Sequence, residues 1–519
     1  MRIGLASVFS FRPHVEHIYY LSTLLKEAGH EVFFLTCDSS VDLCYNRLLK
    51  NQSKAVACSL CILGGIRSYP VKNIFSVSSK YRVPLSEENL FNITASSSYS
   101  LNRIEAPDDA FLEEVIQTQK SLHSSVETFY GSTQHWIGKN KLDAIFMFNG
   151  RMDLTRAMIE AAANCKIPYI SVERPWLGHG IQFNPMENCI GLKDIFGLVH
   201  EYKDKPLTQS QAAWAAKLLA LRYSRKNTLE WRIFNPEAEK SNWPLKGDSE
   251  KILFTPSSRA ESAGHPDFTQ DYFQDITRGF DDVMNKLSIK GEQCVLRCHP
   301  IWSQKVGHFK GERPLRFFTE WAKKRGIYII EPDSKADTYD LIRASDLVVV
   351  TGGSTGAEAA ALGKRVICVG PTFYTHTGFS YDITSPNDIN NLHSVWDMGG
   401  DLARTQVLRF FFTYANRYPQ YVDFVRASKP TEVNYLWGAN VARLEKMIAT
   451  GKLEADDTAF AENTSEEAYF IENMRNQNWD LLASHLPKEP TGRPLDISRR
   501  FVVGWLDQAR DALPPGDRM

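Results

Sequence analysis

The sequence predicts an α/β protein made of two doubly wound domains, each with a largely parallel sheet between helices, that face each other across a cleft. Short apolar strands alternate with amphipathic helices at the start of the chain, and the alternation resumes after residue 251. A polar, proline-containing stretch at 235–251 separates the two regions. The length of 519 residues suits two or three domains. We therefore expect a first domain at 1–240, a second domain at 251–453 and a peripheral helical tail at 454–519.

The first domain opens with a strand at 1–8 and a helix whose apolar residues include Ile18, Leu21 and Leu25. Gly29 follows that helix, as is typical just past a helix C-terminus. The pattern weakens between residues 40 and 140 and then returns. The other elements predicted in this domain are strands at 32–36, 142–148 and 167–172 and helices at 110–137, 153–164 and 210–234.

The second domain repeats the alternation more regularly. Its predicted strands are 251–255, 293–297, 327–331, 347–351 and 366–369, and its predicted helices are 314–325, 338–344 and 355–362. Ligands of such sheets bind at the carboxyl ends of the strands, so the cleft between the domains is the expected site. In the tail, one amphipathic helix is predicted at 497–513.

The composition excludes several classes of protein. The chain carries 60 Lys and Arg against 61 Asp and Glu, a net charge of -1, which does not suit a nucleic-acid binder. No run of about 18 apolar residues predicts a transmembrane helix. The first strand is too short for a signal peptide. We expect a cytoplasmic protein, and peripheral association with the inner face of the cytoplasmic membrane stays open.

The nine cysteines are then expected to be reduced. Cys58 and Cys61 have metal-like spacing, but no second such pair completes a four-ligand site, so buried thiols are favoured over zinc. No Asp-x-Asp motif stands out either, and we expect neither a metal nor a cofactor apart from a donor substrate.

An anion-binding loop is predicted where an apolar strand runs into Gly352, Gly353, Ser354 and Thr355 before a helix. Glycines let the backbone approach a ligand, and the free amides of a first helical turn favour an anion. The simpler alternative is that Ser354 only caps the helix and the glycines only form a tight turn. Glu358, on the first turn, would also help the helix dipole without any ligand.

The residues around this loop resemble known motifs. Glu-Ala-x3-Gly-Lys-x-Val, starting at Glu358, resembles the nucleotide-sugar signature of many GT-B glycosyltransferases, which have two Rossmann-like domains. That resemblance implies that Glu358 holds the donor's ribose and that the turn holds its phosphate. Upstream, Arg297-Cys298-His299-Pro300 ends a strand of the same domain. In this order the motifs resemble the bacterial capsule polysaccharide biosynthesis proteins, including Kdo transferases and polysialyltransferases. The resemblance implies that His299 contacts the nucleotide phosphate and that the donor is CMP-linked.

Two further groups on the donor side follow from position. Arg297 alternates along its strand so as to face the same side as His299, where it could supply charge or pair with an acid. Ser257, Ser258 and Arg259 follow the first strand of the second domain and suit phosphate or sugar contacts, although a plain polar loop is an equal alternative.

The acceptor-side candidates lie at strand ends of the first domain. Asn149 and Arg151 follow one strand, and Glu173 and Arg174 follow another. The second pair loosely resembles the Glu-Asp-Gly stretch of the capsule Kdo transferases, although only Glu173 matches. Glu173 could act as a general base, act as a nucleophile, or simply pair with Arg151 or Arg174. His14, in the loop after the first strand, is a further cleft candidate.

Together these observations predict a metal-independent glycosyltransferase of surface polysaccharide synthesis. It would move a sugar from a nucleotide donor, CMP-Kdo or a related CMP-sugar, to a saccharide or glycolipid acceptor, with Glu173 and His299 as the catalytic candidates. The alternatives are a UDP-sugar 2-epimerase of the same fold and a non-catalytic sugar-nucleotide or glycan-binding subunit. A Rossmann oxidoreductase is disfavoured because no GxGxxG follows the first strand.

Overall fold

The computed structural model describes residues 1–105, 112–230, 237–260, 262, 264–265, 267–268, 275–306, 309–485, 492–501 and 503–505, with the backbone alone at 305–306 and 309–310. The strands are β1 (Arg2–Ala6), β2 (Glu31–Thr36), β3 (Ile74–Ser76), β4 (Ala144–Phe148), β5 (Tyr169–Glu173), β6 (Gln182–Pro185), β7 (Ile252–Thr255), β8 (Cys294–Arg297), β9 (Lys305–Val306), β10 (Phe309–Lys310), β11 (Tyr328–Ile330), β12 (Leu347–Val350), β13 (Arg365–Val369), β14 (Tyr381–Ile383), β15 (Val425–Lys429), β16 (Glu432–Leu436) and β17 (Pro494–Leu495). The helices are α1 (His14–Glu27), α2 (Tyr45–Lys50), α3 (Lys54–Gly64), α4 (Glu87–Asn102), α5 (Leu112–Asn140), α6 (Asp153–Asn164), α7 (Lys193–Tyr202), α8 (Gln209–Tyr223), α9 (Ile276–Lys286), α10 (Glu312–Lys324), α11 (Thr338–Ala344), α12 (Thr355–Ala361), α13 (Gly400–Phe412), α14 (Ala442–Thr450), α15 (Ser465–Arg475) and α16 (Trp479–Ala483).

The first sheet has the strand order β3-β2-β1-β4-β5-β6 and is parallel except for β6. Its central strands are buried on both faces, which explains their nearly continuous apolar sequence. Strand β1 pairs with β2 on one side and with β4 on the other, and the connections after these strands run in opposite directions along the sheet. A crevice therefore opens at the carboxyl end of β1. This switch point is where a ligand of such a sheet is expected.

The second sheet has the order β11-β8-β7-β12-β13-β14 and is parallel throughout. Its switch point lies at β7, between β8 and β12. Strands β7, β8 and β12 are buried along their whole length. The predicted fold class, two doubly wound Rossmann-like domains, is therefore confirmed.

The segment after β14 returns to the first sheet. The Tyr20 hydroxyl donates to the Leu436 carbonyl at 2.9 Å, and Ile181 forms an isolated β-bridge with Gln420. The predicted second domain, 251–453, therefore contains a final part that packs against the first domain.

Two helices of the predicted tail, α15 and α16, pack closely against the rest of the protein. Phe470, Met474 and Leu482 are buried against the core. The Glu467 carboxylate is fully buried and accepts two hydrogen bonds from Arg409, at 2.7 and 2.9 Å. These helices cover α8 and α13, an apolar contact that the charge-rich sequence of the tail does not reveal. Of the predicted helix at 497–513, residues 501 and 503–505 are helical, and 506–513 lie outside the described residues.

The predicted helix at 210–234 begins one residue early and ends at Tyr223, with 231–234 outside the described residues. In the described part of the chain, none of the helices combines the length and the apolar character that crossing a bilayer requires.

Candidate functional site

Three side chains meet at the carboxyl edge of the first sheet. Glu173 ends β5, Asn149 follows β4, and His14 begins α1 after the loop that leaves β1. Because β1, β4 and β5 are neighbours, their ends lie side by side. The His14 imidazole Nε2 hydrogen-bonds one carboxylate oxygen of Glu173, and the Asn149 amide donates to the other at 2.8 Å. The backbone amide of Arg174 adds a further bond to Glu173, at 3.0 Å.

This environment keeps Glu173 ionised. Burial raises the pKa of the carboxyl, but His14 and the hydrogen bonds from His14, Asn149 and the Arg174 amide outweigh burial, so the net pKa lies below its usual value. The carboxylate still reaches the surface, since 21% of the side chain is exposed. It is thus a positioned anion with one side open.

The surroundings of His14 are mostly apolar or aromatic. Its ring lies 4.3 Å from the ring of Phe148, centroid to centroid, and its Nδ1 is buried with no hydrogen-bond partner among the described residues. The neighbouring His17 accepts or donates a 2.8 Å bond with the Tyr435 hydroxyl. Burial, together with His14 and Arg174, holds the pKa of His17 well below its usual range, so this second imidazole stays neutral.

The two predicted arginines of this edge point elsewhere. Arg151 donates to the hydroxyls of Ser96 and Ser100, at 2.8 and 2.9 Å, and its own backbone amide donates to Asn149. The Arg174 guanidinium donates to the Leu229 carbonyl. The side chains that hydrogen-bond Glu173 are thus His14 and Asn149, while Arg174 acts on this carboxylate through its backbone amide and its charge.

The predicted anion loop lies at the switch point of the second sheet. Gly352 and Gly353 have φ of 107° and 75°, which favour glycine. A Cβ on Gly353 would lie 2.4 Å from the Ser257 hydroxyl oxygen, so the loop after β7 packs directly against it. Ser354 occupies the cap position of α12 without a side-chain capping bond. The Ser354 side chain therefore does not cap the helix, which was the simpler alternative. Ser354 and Thr355 are both half-buried at the helix start.

Glu358 is buried beneath this loop and is paired. Arg222 of α8 donates to its carboxylate through Nε at 2.8 Å and lies in a salt bridge of 2.6 Å with it. The Tyr339 hydroxyl adds a longer bond of 3.4 Å. The ribose role of Glu358 stays a prediction, and a ribose hydroxyl would have to share the carboxylate with Arg222.

The two strand-end residues of β8 differ in their surroundings. Arg297 is buried and donates to the carbonyls of Glu331 and Ser334, which ties β8 to the loop after β11. His299 is half-buried, and its Nδ1 accepts a hydrogen bond from the amide of Ile301 at 3.2 Å. In the neutral ring the proton then lies on Nε2, which can donate to a phosphate oxygen. The donor-binding roles of both residues stay predictions.

One buried acid that the sequence did not single out joins the two domains. Glu105, just after α4, accepts a hydrogen bond from the Ser258 hydroxyl and another from the Arg259 amide at 2.9 Å. Burial raises the pKa of Glu105 despite these bonds. No local motif could have revealed it, because its partners are more than 150 residues away.

The two edges face each other. Trp176, three residues after Glu173, lies 5.4 Å from the ring of Phe373, in the segment after β13. The Arg222 guanidinium lies 4.8 Å from the centroid of the Trp176 ring and pairs with Glu358. Thr372, beside Phe373, borders Gly352. The loops that follow β5, β12 and β13 therefore lie together between the two sheets.

Across the described residues, no group of three or more His, Cys, Asp and Glu side chains is arranged to hold a metal ion. Cys58 and Cys61 are both free thiols.

No family model and no curated protein matches the chain. Among solved structures, it is similar to KpsC of Thermosulfurimonas dismutans, a beta Kdo 2,4 transferase, at 16% identity over 64% of this chain and 87% of that one, with a TM-score of 0.35. It is also similar to UDP-GlcNAc 2-epimerase of Methanocaldococcus jannaschii, at 11% identity over 76% and 91%, with a TM-score of 0.28. MurG of Acinetobacter baumannii matches at 11% identity over 78% and 94%, with a TM-score of 0.26. These scores are low, so the architecture rests on the sheet topology of this chain.

Proposed function

We propose that this protein transfers a sugar from a nucleotide donor to a hydroxyl group of a saccharide or glycolipid acceptor. The observation that carries the proposal is that the glycine and hydroxyl loop at 352–355 and the partly exposed carboxylate of Glu173 lie at strand ends of the two sheets, whose loops contact each other. The loop suits the phosphate of the leaving nucleotide, and the carboxylate suits the deprotonation of the attacking hydroxyl. Surface polysaccharide synthesis is the setting that the sequence motifs favour.

On the donor side, the phosphate would lie against the backbone of Gly353, the hydroxyls of Ser354 and Thr355, and Nε2 of His299. Free amides at a helix start and a neutral imidazole N–H are both donors, and negative charge grows on the phosphate as the glycosidic bond breaks. Glu105 would hold the neighbouring Ser258 loop in place through its two hydrogen bonds.

On the acceptor side, Glu173 would accept the proton of the attacking hydroxyl. The acceptor oxygen forms its bond to the anomeric carbon, the bond from that carbon to the phosphate oxygen breaks, and the nucleotide leaves with the electron pair. His14 and Asn149 would fix the carboxylate for this step. An attack from the face opposite the leaving group would invert the anomeric configuration.

The donor can be tested first. We expect thermal stabilisation of the full chain by one nucleotide among CMP, UDP, GDP and dTDP, because a ligand of the folded state raises its stability. The motif around His299 favours CMP, so CMP-Kdo is the first donor to assay with oligosaccharide acceptors. Stabilisation by none of the four, together with no transfer from any matching donor, would refute the proposal.

A nucleotide-sugar epimerase is the second candidate, and one observation favours it. Glu173, His14 and His17 gather acid–base groups at one edge of the cleft, as sugar isomerisation requires. Isomerisation of a UDP-sugar without any acceptor would establish this alternative. Nucleotide binding without transfer, isomerisation or donor hydrolysis would instead indicate a binding subunit.

A further inference from the structure

Helix α3 presents an apolar face to solvent. Val56, Leu60 and Leu63 follow the i, i+4, i+7 spacing that aligns side chains on one side of a helix, and all three are exposed, as is Ile62. From residue 55 to residue 64 the helix contains no charged side chain. Within α3 only Ala57 is buried, so this apolar sequence is not explained by the core of the protein.

A second exposed apolar segment lies next to this helix. Arg499 donates to the carbonyl of Leu63, and Arg500 donates to the carbonyls of Ser68 and Tyr69, at 2.7 and 3.0 Å. These bonds hold the chain at Arg499 and Arg500 beside the end of α3. Phe501 is 95% exposed there and Trp505 is 59% exposed.

Six of the fifteen large apolar side chains that the described part of the chain exposes thus belong to two adjoining segments. We call this surface the apolar patch. It consists of Val56, Leu60, Ile62, Leu63, Phe501 and Trp505. Single exposed apolar residues need no explanation, but six of them on two adjoining segments are typical of an interaction surface.

The charge around the apolar patch is positive, although the whole chain is nearly neutral. Residues 38–67 and 492–501 carry seven Lys and Arg, three Asp and no Glu. Two of the three aspartates, Asp38 and Asp42, are already paired with Arg67 and Lys54. Among the described residues, Lys50 and Arg500 form no ion pair with a carboxylate.

We propose that the apolar patch binds the surface of an anionic lipid bilayer. Exposed aliphatic and aromatic side chains with a basic border fit a membrane interface, where apolar groups enter the headgroup region and cations attract anionic lipids. A second copy of the chain is a poorer occupant, because a symmetric contact would place the two basic borders against each other. The proposal does not depend on the proposed transfer reaction.

The apolar patch lies close to the loop that leads to His14, at the Glu173 edge. The inner side of α3 contacts the loop that leads from β1 to His14, where the Ser10 hydroxyl donates to Cys61 Sγ at 3.8 Å. A Cβ on Gly64 would lie 2.9 Å from the Ser10 Cβ, so helix and loop are closely packed. A membrane bound here would lie beside the Glu173 edge of the cleft, where a lipid-linked acceptor could be taken up.

Vesicle flotation of the full chain tests the proposal. The probes are vesicles of phosphatidylcholine alone and of phosphatidylcholine with an equal amount of phosphatidylglycerol. We expect flotation with the anionic vesicles, which weakens in high salt, and little with the neutral ones. The double variant Leu60→Ser with Leu63→Ser should lower the bound fraction about tenfold or more, because each leucine contributes apolar area to the membrane contact.

The matched control is Leu402→Ser with Leu481→Ser, which changes two exposed leucines on α13 and α16. It should float like the wild type, and both double variants should keep the wild-type thermal midpoint because all four side chains are exposed. Absence of flotation with anionic vesicles would overturn the proposal, as would an equal loss in both variants. Concentration-dependent dimerisation that Leu60→Ser with Leu63→Ser abolishes, without vesicle binding, would assign the apolar patch to a second copy and also overturn it.

Discussion

The buried ion pair between Arg222 and Glu358 should be among the most sensitive points of the fold. Only 7% and 6% of the two side chains are exposed, and Arg222 also pairs with Glu230. Burial opposes the charge of Arg222, but the two glutamates outweigh burial, so the pKa of the guanidinium lies above its usual value. Removing one member of such a pair leaves an uncompensated buried charge, which costs about 3–5 kcal/mol.

The perturbation is Arg222→Met, which keeps an unbranched side chain but removes the guanidinium, together with its charge and its contact with the Trp176 ring. We expect the free energy of unfolding to fall by about 3–5 kcal/mol, because Glu358 and Glu230 both stay buried. In the double variant Arg222→Met with Glu358→Gln, part of this loss should be recovered, since a neutral amide replaces one of the stranded carboxylates.

Urea unfolding followed by circular dichroism measures the effect, with the midpoints of the single and double variants compared under identical conditions. The surface pair Lys335–Glu239 supplies the control, because its side chains are more than half exposed and Lys335→Met should cost about 1 kcal/mol or less. An Arg222→Met variant as stable as the Lys335→Met control would refute the reasoning, as would a double variant less stable than the single one.

Two further predictions concern a buried acid and the anion loop. Burial raises the pKa of Asp153 to about 7, so the folded protein holds a proton that the unfolded chain releases at lower pH. The stability that this group contributes is present below its unfolded pKa and is lost as the pH rises to about 7, at roughly 1.4 kcal/mol per pKa unit. Asp153→Asn should therefore raise the unfolding midpoint at neutral pH and flatten its pH dependence, and no gain at pH 7 in thermal melts would contradict this. Gly353→Ala should weaken nucleotide binding about tenfold or more, because φ is positive and the new Cβ meets Ser257. Gly29→Ala, with a similar φ but open space around it, should leave nucleotide binding in titration calorimetry unchanged, and equal effects of the two variants would exclude a local role for the loop.

The fold could be predicted from the sequence because its signals are local. Strands buried on both faces show as apolar runs, and the helices at Asp153–Asn164 and Thr338–Ala344 were predicted to the residue from their periodicity. The buried face of α15 could not be predicted, since its Glu467 is charged and becomes buried only by pairing with Arg409 of a distant helix. The burial of this helix face therefore depends on contacts with distant residues, which the local pattern of polar and apolar residues does not show.

The individual residues of the candidate site could be predicted from the sequence, but the contacts between them could not. Glu173 and His14 were both expected in the cleft from their positions after strands, but 159 residues separate them, and only the order of strands in the sheet brings them together. The same holds for Glu105 and Ser258, and for Arg222 and Glu358, which lie 153 and 136 residues apart. Such pairs belong to the domain arrangement, which no short motif encodes.

Transfer by a Glu173→Gln variant is the most direct test of the proposed chemistry. The amide keeps the size of the side chain but cannot accept the acceptor's proton, so we expect the transfer rate to fall about 10²–10⁴-fold while nucleotide binding, measured separately by thermal shift, is retained. Glu445→Gln is the matched control. Glu445 lies on α14 and hydrogen-bonds His30 at 2.8 Å rather than any residue of the Glu173 edge, so this variant should transfer sugar at the wild-type rate. A Glu173→Gln variant that transfers sugar as fast as the wild type would remove this carboxylate from the reaction and contradict the proposed role of the first-domain edge.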